Sequence, residues 1–172
     1  MAGLTDQSRV HGLGDGALWI VEKFNDNFAQ QGSYLVDFYH VSEYVAAAAL
    51  AIAPPGKEQE WRRRQQGRLL QNQVPKVLCS LQGHLEPETE KEAPVRAALD
   101  YIDKRRDQLD YAGARKAALP IGSGEVEGGH RQVIQQRLKL SGSWWKEVNA
   151  SAMLNLRTAR ANNLWKTYWA KN

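Results

Sequence analysis

The sequence predicts a chain that opens as an α/β segment and continues as a mostly α-helical one. Two short apolar runs, near residues 10–14 and 34–38, have the length of strands, and a helical pattern lies between them. From Val41 onward the apolar residues recur every three or four positions, which is the helical period. Two short strands cannot form a stable sheet with covered faces, so we expect the N-terminal strands of this sheet to be missing from the sequence.

The first strand is predicted within residues 9–14, and the triplet Gly14-Asp15-Gly16 after it indicates a tight turn. A helix should follow and end near Gly32. Its apolar face comprises Ala17, Val21, Phe24 and Phe28. The run at residues 34–38 is too short and too apolar for a surface helix, and we interpret it as the second strand, a buried one.

The rest of the chain should form about five further helices, which with the first makes about six. One begins at Val41 and stops at Pro54-Pro55, and two apolar stripes follow within residues 70–81 and 95–109. Residues 120–124 break the pattern, and a helix is expected over 125–139. The last helix is predicted over 145–162. Its inward positions are expected to be Val148, Ala152, Leu156 and Ala159.

Composition is that of an ordinary globular domain, with 42% apolar and 24% charged residues. The longest apolar stretch, residues 45–55, is about half of what a membrane-spanning helix needs, and no signal sequence begins at Met1. We therefore expect a cytoplasmic protein without a membrane partner. The one cysteine, Cys79, lies in an apolar run and is expected to be buried.

Positive charge is concentrated in the C-terminal third. The chain has a formal net charge of +4 and an isoelectric point near 9.2. From His130 onward it contains eight Lys or Arg residues and a single acid, Glu147. Such a segment suits a polyanionic partner such as nucleic acid, although many unrelated proteins have a similar overall charge.

Asp15 is a candidate metal ligand because the glycines on both sides let a ligand approach the backbone closely at a strand end. The alternative is a simple turn aspartate. Asp37 and His40 form a second candidate pair, at the passage from the second strand into a helix. His40 suits a metal ligand, an acid or a phosphate contact, but a hydrogen-bonded structural residue is the commoner role at such a junction.

Glu125 and Glu127 begin a helix after a glycine-rich entry, where the helix N-terminus stabilises negative charge. Two residues along a helix differ in direction by about 200°, so only one of them can face a given site. The same helix has basic residues along one side, called here the cationic flank, which could bind phosphate groups. The alternative is that they only keep the helix solvated. This flank comprises His130, Arg131, Arg137 and Lys139.

Several other kinds of site are excluded by spacing. Glu127 stands where a dinucleotide-binding fingerprint needs its third glycine, and no strand clearly precedes Gly122. Ser123 lies in Gly-Ser-Gly rather than in the elbow of a serine hydrolase, and no phosphate loop is present.

Four blocks in order, GDGALWI, VDFYHVSEYV, LPIGSGEVEGGHRQVIQQRLKLSGSWW and LNLRTARANNLWKTYW, resemble the C-terminal half of bacterial insertion-sequence transposases of the Mutator-related DDE group, of the Kra type. The resemblance covers nearly the whole chain. It implies an RNase H-like fold in which two aspartates and a glutamate hold two Mg²⁺ or Mn²⁺ ions for DNA strand cleavage and transfer.

The resemblance assigns Asp15 to the second aspartate and Glu127 to the glutamate, as catalytic residues and metal ligands. Asp37 and His40 match an Asp-or-Cys-x-x-His element of the family, whereas Glu125 matches no fixed acidic position. It also implies an organisation into a partial RNase H-like segment at 1–53, a helical insertion at 54–119 and C-terminal helices with the catalytic glutamate at 120–172. We expect the carboxylates of Asp15 and Glu127 to lie roughly 4–7 Å apart.

The first aspartate of the family has no counterpart here. Asp6 is the only acid before Asp15, and the residues between them cannot hold a strand, a hairpin and another strand. The chain is therefore expected to be inactive alone, and its partners would be DNA and the missing N-terminal half or a full-length transposase. A homo-oligomer is a further option. The alternatives are a non-catalytic protein that binds DNA or the transposase, a remnant, and an unrelated helical enzyme centred on His40.

Overall fold

The computed structural model describes residues 4–171, apart from the side chains of Glu125, Val126 and Lys171. The described part is mostly helical, as the spacing of apolar residues predicted, and it contains two parallel strands. The chain divides into two compact units, Met1–Ser123 and Gly124–Asn172. In the described residues no helix is both long enough and apolar enough to cross a membrane.

The first unit contains both strands. In chain order its elements are β1 (Val10–Gly14), α1 (Leu18–Phe28), β2 (Gly32–Val36), α2 (Phe38–Ile52), α3 (Glu58–Leu70), α4 (Val74–Gln82), α5 (Pro94–Asp103), a 3₁₀ turn (Arg106–Gln108) and α6 (Tyr111–Lys116). The second unit contains α7 (Gly124–Gly129), a π-helix (His130–Gln135), α8 (Gln136–Leu138), α9 (Glu147–Ala161) and α10 (Trp165–Lys171).

β1 and β2 form a parallel pair joined by α1, with Val10 opposite Gly32 and Gly14 opposite Val36. The ring of Phe24 on α1 lies directly over Gly12, where an added Cβ would come within 2.6 Å of that ring. Glycine at this position therefore lets the helix pack closely on the sheet. The connection between the strands is the βαβ arrangement that the alternating pattern predicted.

The core of the first unit is built around α2, which packs against α3 and α5. Val41, Val45 and Ala48 of α2 are fully buried, at the helical spacing noted in the sequence. Tyr111 at the start of α6 is also fully buried, and its hydroxyl donates a hydrogen bond of 3.0 Å to the carbonyl oxygen of Val36. This bond ties the helical part of the unit to the end of β2.

Several predicted boundaries differ from the structure. The second strand ends at Val36, and α2 already begins at Phe38, because the carboxylate of Asp37 accepts hydrogen bonds from the first backbone N–H groups of the helix. The stripe at residues 70–81 spans two helices, since α3 ends at Leu70 and α4 begins at Val74. There are consequently more helical segments than the six expected.

Two predictions about burial were wrong. Cys79 is exposed, because it lies on α4 one position beyond the buried pair Val77 and Leu78, where the helix turns toward solvent. On α9 the predicted inward face is only partly inward. Ala159 is buried and Leu156 is half-buried, whereas Val148 and Ala152 are exposed. The first half of α9 lacks a packing surface among the described residues.

Candidate carboxylate site at the strand ends

The two aspartates at the strand ends are brought to one edge of the sheet. Asp15 follows β1 and Asp37 follows β2, and the strands run parallel. The backbone N–H of Asp37 donates a 2.7 Å hydrogen bond to the carbonyl oxygen of Gly14, so the ladder continues up to both residues. The carboxyl edge of a parallel sheet is where α/β proteins commonly place functional side chains.

Asp15 presents an open carboxylate. The residue is exposed, and its Oδ1 accepts a 2.9 Å hydrogen bond from the backbone N–H of Ala17. Within the described residues its Oδ2 accepts no hydrogen bond. A carboxylate held on one side by a backbone amide and open on the other can bind a cation or a hydrogen-bond donor.

The backbone around Asp15 is held by Tyr101 at the end of α5 and by Arg105 just after that helix. The hydroxyl of Tyr101 donates to the carbonyl oxygen of Asp15, and the guanidinium of Arg105 donates two hydrogen bonds, of 3.2 and 3.0 Å, to the carbonyl oxygen of Gly16. Gly16 has a φ of 73°, and an added Cβ would lie 2.6 Å from Nε of Arg105. Glycine is therefore required at this turn for both conformation and space.

Tyr101 and Arg105 also contact each other. The guanidinium of Arg105 lies 3.9 Å from the centroid of the Tyr101 ring and donates a 3.2 Å hydrogen bond to the Tyr101 carbonyl oxygen. Burial strongly raises the pKa of the Tyr101 hydroxyl, and the nearby charge of Asp15 raises it further, although the charge of Arg105 opposes this. The hydroxyl thus remains a protonated hydrogen-bond donor toward Asp15 at neutral pH.

His40 packs among aromatic rings. Its ring lies 5.6 Å from the rings of Tyr44 and Tyr101, edge to face with both, and those two tyrosines stack at 4.1 Å. Its Nδ1 lies 3.4 Å from a carboxylate oxygen of Glu43. His40 reaches Asp37 through its backbone N–H rather than through its ring. These contacts are those of a packed structural histidine next to the Asp15 turn.

Asp37 is a buried carboxylate with both oxygens engaged. Its Oδ1 accepts from the backbone N–H groups of Tyr39 and His40, at 2.7 and 3.4 Å, which makes Asp37 the N-cap of α2. Its Oδ2 accepts from the backbone N–H of Ser123 at 2.7 Å and from the Ser123 hydroxyl. Burial alone would raise the pKa of Asp37, but these four hydrogen bonds favour the charged form and together lower the pKa.

The segment before α7 is fixed by the same residues. The backbone N–H of Phe38 donates a 2.8 Å hydrogen bond to the carbonyl oxygen of Ile121. Gly122 lies against the ring of Tyr39, where an added Cβ would come within 2.5 Å of ring atoms. Gly122 and Ser123 therefore pack on the start of α2, and Ser123 supplies two donors to Asp37.

Glu127 lies on α7 in the second unit, and its side chain is exposed. The side chain of Glu125 lies outside the described part. The cationic flank predicted after Glu127 is exposed as well, at Arg131, Arg137 and Lys139. The ring nitrogen Nδ1 of His130 lies 3.0 Å from the side-chain nitrogen of Gln135.

The helix predicted over residues 125–139 is present, but it contains a π-helical turn at His130–Gln135. A π-helix displaces its carbonyl groups from the usual α-helical partners. Here Arg157 of α9 donates hydrogen bonds to the carbonyl oxygens of Gln132 and Val133, the latter at 2.6 Å. Arg157 therefore binds the widened turn and holds α9 against it.

The two strand-end aspartates differ in how well they fit the metal ions that the resemblance implies. Asp15 fits as a ligand, because it is exposed and has a carboxylate oxygen with no other partner among the described residues. Asp37 does not fit, because its oxygens already accept four hydrogen bonds. The described residues contain no group of three or more His, Cys, Asp or Glu side chains placed to hold a metal ion.

Sequence reasoning did not identify four residues that organise these sites, namely Tyr101, Arg105, Ser123 and Arg157. Tyr101 lies in the last turn of α5 and Arg105 lies two residues beyond the end of that helix, so helical spacing did not indicate a joint role. From its sequence context, Ser123 could be compared only with the nucleophile of a serine hydrolase. Its role as a donor depends on a contact 86 positions away, which no local pattern reveals.

In comparisons with protein-family models, with curated proteins and with solved structures, no match to this chain was found.

Proposed function

We propose that this chain is the C-terminal part of a DDE transposase and supplies two of the three carboxylates of its nuclease centre, Asp15 and Glu127. The supporting observation is the presentation of Asp15. This carboxylate is exposed at the carboxyl end of a parallel strand, and its backbone is fixed by Tyr101 and Arg105. A fixed backbone with an open carboxylate is the arrangement that metal-dependent phosphoryl chemistry needs from a protein.

The proposal includes an RNase H-like fold for the complete protein. The βαβ arrangement of β1, α1 and β2 would be its C-terminal part, and the remaining strands would come from another segment of polypeptide. The third carboxylate would come from the same source. Without it, the chain should not cleave DNA.

In this proposal Asp15 and Glu127 would each offer carboxylate oxygens to Mg²⁺ or Mn²⁺. When bound, such ions would supply Lewis-acid stabilisation of the charge that develops during phosphoryl transfer. Asp37 would contribute indirectly, since its oxygens are used to cap α2 and to bind Ser123. His40 would support the packing of Tyr101 and thereby the Asp15 turn.

DNA would be bound by the basic residues that follow Glu127, in the cytoplasm of a bacterial cell. His130 and Arg131 lie in the π-helix, Arg137 lies on α8 and Lys139 follows the end of α8, and all four residues are exposed. Cations placed next to a metal-binding carboxylate would hold the phosphate backbone while the strand is cut. Contacts of this kind carry no base specificity, so target choice would have to come from elsewhere.

The test is a reconstitution with the polypeptide encoded immediately upstream of this chain. Mixing the two with labelled duplex DNA and Mg²⁺ should produce strand cleavage, whereas this chain alone should produce none. Asp15→Asn and Glu127→Gln should each abolish the reconstituted cleavage. Asp26→Asn is the matched control, because Asp26 is an exposed carboxylate on α1 whose contact is an ion pair with Lys23 on the same helix.

Two results would contradict this assignment. Cleavage by this chain alone that Asp15→Asn abolishes would show that no third carboxylate is needed. Reconstituted cleavage that persists in both Asp15→Asn and Glu127→Gln would remove these residues from the chemistry.

A second candidate function is non-catalytic binding to DNA or to a full-length transposase. The observation in its favour is that the exposed cations of the second unit need no metal ion to bind a polyanion. This function predicts DNA or transposase binding that is equally strong with and without Mg²⁺, and that Asp15→Asn leaves unchanged.

A further inference from the structure

Three tryptophan side chains of the second unit are exposed to solvent. Trp144, just before α9, is 97% exposed, and Trp165 and Trp169 on α10 are 43% and 56% exposed. Trp165 and Trp169 lie one helical turn apart, with ring centroids 5.6 Å from each other. Large exposed aromatic side chains in a folded protein usually mark a binding surface.

Basic residues lie close to these tryptophans in the sequence. Lys146 follows Trp144 closely, Lys166 follows Trp165, and Arg160 lies in the last turn of α9. All three basic residues are exposed. Residues 124–172 contain eight Lys or Arg against three Glu and no Asp. The charge of this surface therefore complements a polyanion rather than an ordinary protein surface.

The two aromatic positions lie at opposite ends of α9. This helix contains 15 residues, which corresponds to about 22 Å at 1.5 Å per residue. A single nucleic-acid strand presents both phosphates and unpaired bases, and sites for such strands commonly cover ~4–16 nucleotides. A duplex offers its phosphates but keeps its bases stacked inside, so it cannot use the indoles in the same way.

We propose that α9 and the tryptophans at its two ends form a binding surface for single-stranded DNA. Bases would stack on Trp144 at one end and on Trp165 and Trp169 at the other, while Lys146, Arg160 and Lys166 bind the phosphates. The choice of DNA over RNA rests on the proposed function, because strand cleavage and transfer would present unpaired DNA. The stacking surface itself does not depend on Asp15 or Glu127.

The test is a binding titration of the whole chain with a labelled 16-nucleotide oligothymidylate, in buffer containing EDTA. Trp144→Ala should weaken binding about five- to hundredfold, as loss of one stacked base predicts. Trp165→Ala with Trp169→Ala should have an effect of similar size. Trp144→Phe should restore much of the affinity, because phenylalanine retains a stacking face. Thermal melting should show that these variants fold like the wild type.

Trp19→Ala is the matched control, since Trp19 is a 68% exposed indole on α1 in the first unit and should have no effect. The proposal would be overturned by wild-type affinity in Trp144→Ala, or by an equal loss in Trp19→Ala. It would also be overturned if Trp144→Ala weakened binding to a 16-base-pair duplex by the same factor, or if oligouridylate bound more tightly than oligothymidylate. Dimerisation of the wild type that Trp144→Ala abolishes would instead identify the surface as a protein interface. Because metal is absent, these outcomes are independent of cleavage.

Discussion

The hydroxyl and the backbone N–H of Ser123 both donate to the same carboxylate oxygen of Asp37. The other oxygen of Asp37 caps α2 through the N–H groups of Tyr39 and His40. One buried charge therefore joins two segments that lie 86 positions apart in sequence. The contact explains why an aspartate follows β2 without any need for it to bind a metal ion.

Replacing Asp37 with Asn should destabilise the chain by about 2–4 kcal/mol, because the amide oxygen can still cap α2 but the amide nitrogen would face the two donors of Ser123. Ser123→Ala should cost less, about 1–2 kcal/mol, because the backbone N–H of Ser123 remains. Urea denaturation of the two single variants and the double variant measures the coupling between them. Additive effects would show that the two side chains do not interact.

The stability that Asp37 contributes should depend on pH in a specific direction. Its pKa in the folded chain is lowered from the ordinary value of 3.8, so the unfolded state binds the proton more readily. The contribution is therefore complete at pH values well above 3.8 and is lost as the pH falls through the lower folded pKa. Melting curves from pH 7 to pH 2 should show the wild type and Asp37→Asn converging in acid.

Other carboxylates with lowered pKa values, such as those of Glu86 and Asp110, are present in both proteins and cancel in this comparison. A gap between the two melting temperatures that stays constant down to pH 2 would contradict a charged Asp37 as the stabilising form.

Tyr101→Phe should loosen the turn that presents Asp15. The variant keeps the packed ring but removes the hydroxyl that donates to the Asp15 carbonyl oxygen, at a cost of about 1 kcal/mol. Amide hydrogen exchange of Gly16 and Ala17 should accelerate by about fivefold, since 1.4 kcal/mol corresponds to tenfold. Tyr44→Phe is the control, because it also removes a tyrosine hydroxyl from the stack but none that bonds to this turn. Equal exchange in both variants would argue against the role of the hydroxyl.

Replacing Arg131, Arg137 and Lys139 together with Ala should weaken duplex DNA binding by a similar factor for all sequences. The slope of log affinity against log salt should flatten by about one unit for each true phosphate contact. The control removes three exposed cations from the first unit instead, at Lys57, Arg63 and Arg64. Titrations at several salt concentrations measure both slopes, and circular dichroism confirms equal helicity. An unchanged slope in the first variant would leave these residues with a solvating role only.

Elements that depend on the local spacing of apolar residues could be predicted from the sequence. The βαβ opening and the inward face of α2 follow from apolar spacing, because Val41, Val45 and Ala48 are buried at the predicted positions. The position of Asp15 at the end of β1 was also predictable, since the flanking glycines mark the turn. The RNase H-like fold and the metal centre stay predictions.

Other features depended on contacts between distant residues. The predicted start of α2 is too late because the mostly apolar run at residues 34–38 has the length of a strand. Only the carboxylate contacts of Asp37 show where the helix begins. The π-helical turn at His130–Gln135 depends on Arg157, which lies on another helix. Val148 follows a helical stripe and is nevertheless exposed, because periodicity does not show whether a neighbour covers that face.

The bonds between Arg105 and Gly16 have a consequence for the order of folding. The two residues are 89 positions apart, so the turn at Asp15 acquires its final restraints only after α5 has docked. During synthesis, β1 emerges from the ribosome long before the residues that fix its end. A nascent chain that stops before α5 would therefore carry Asp15 on an unrestrained turn. The geometry of this carboxylate is a late product of folding rather than a local property of its glycines.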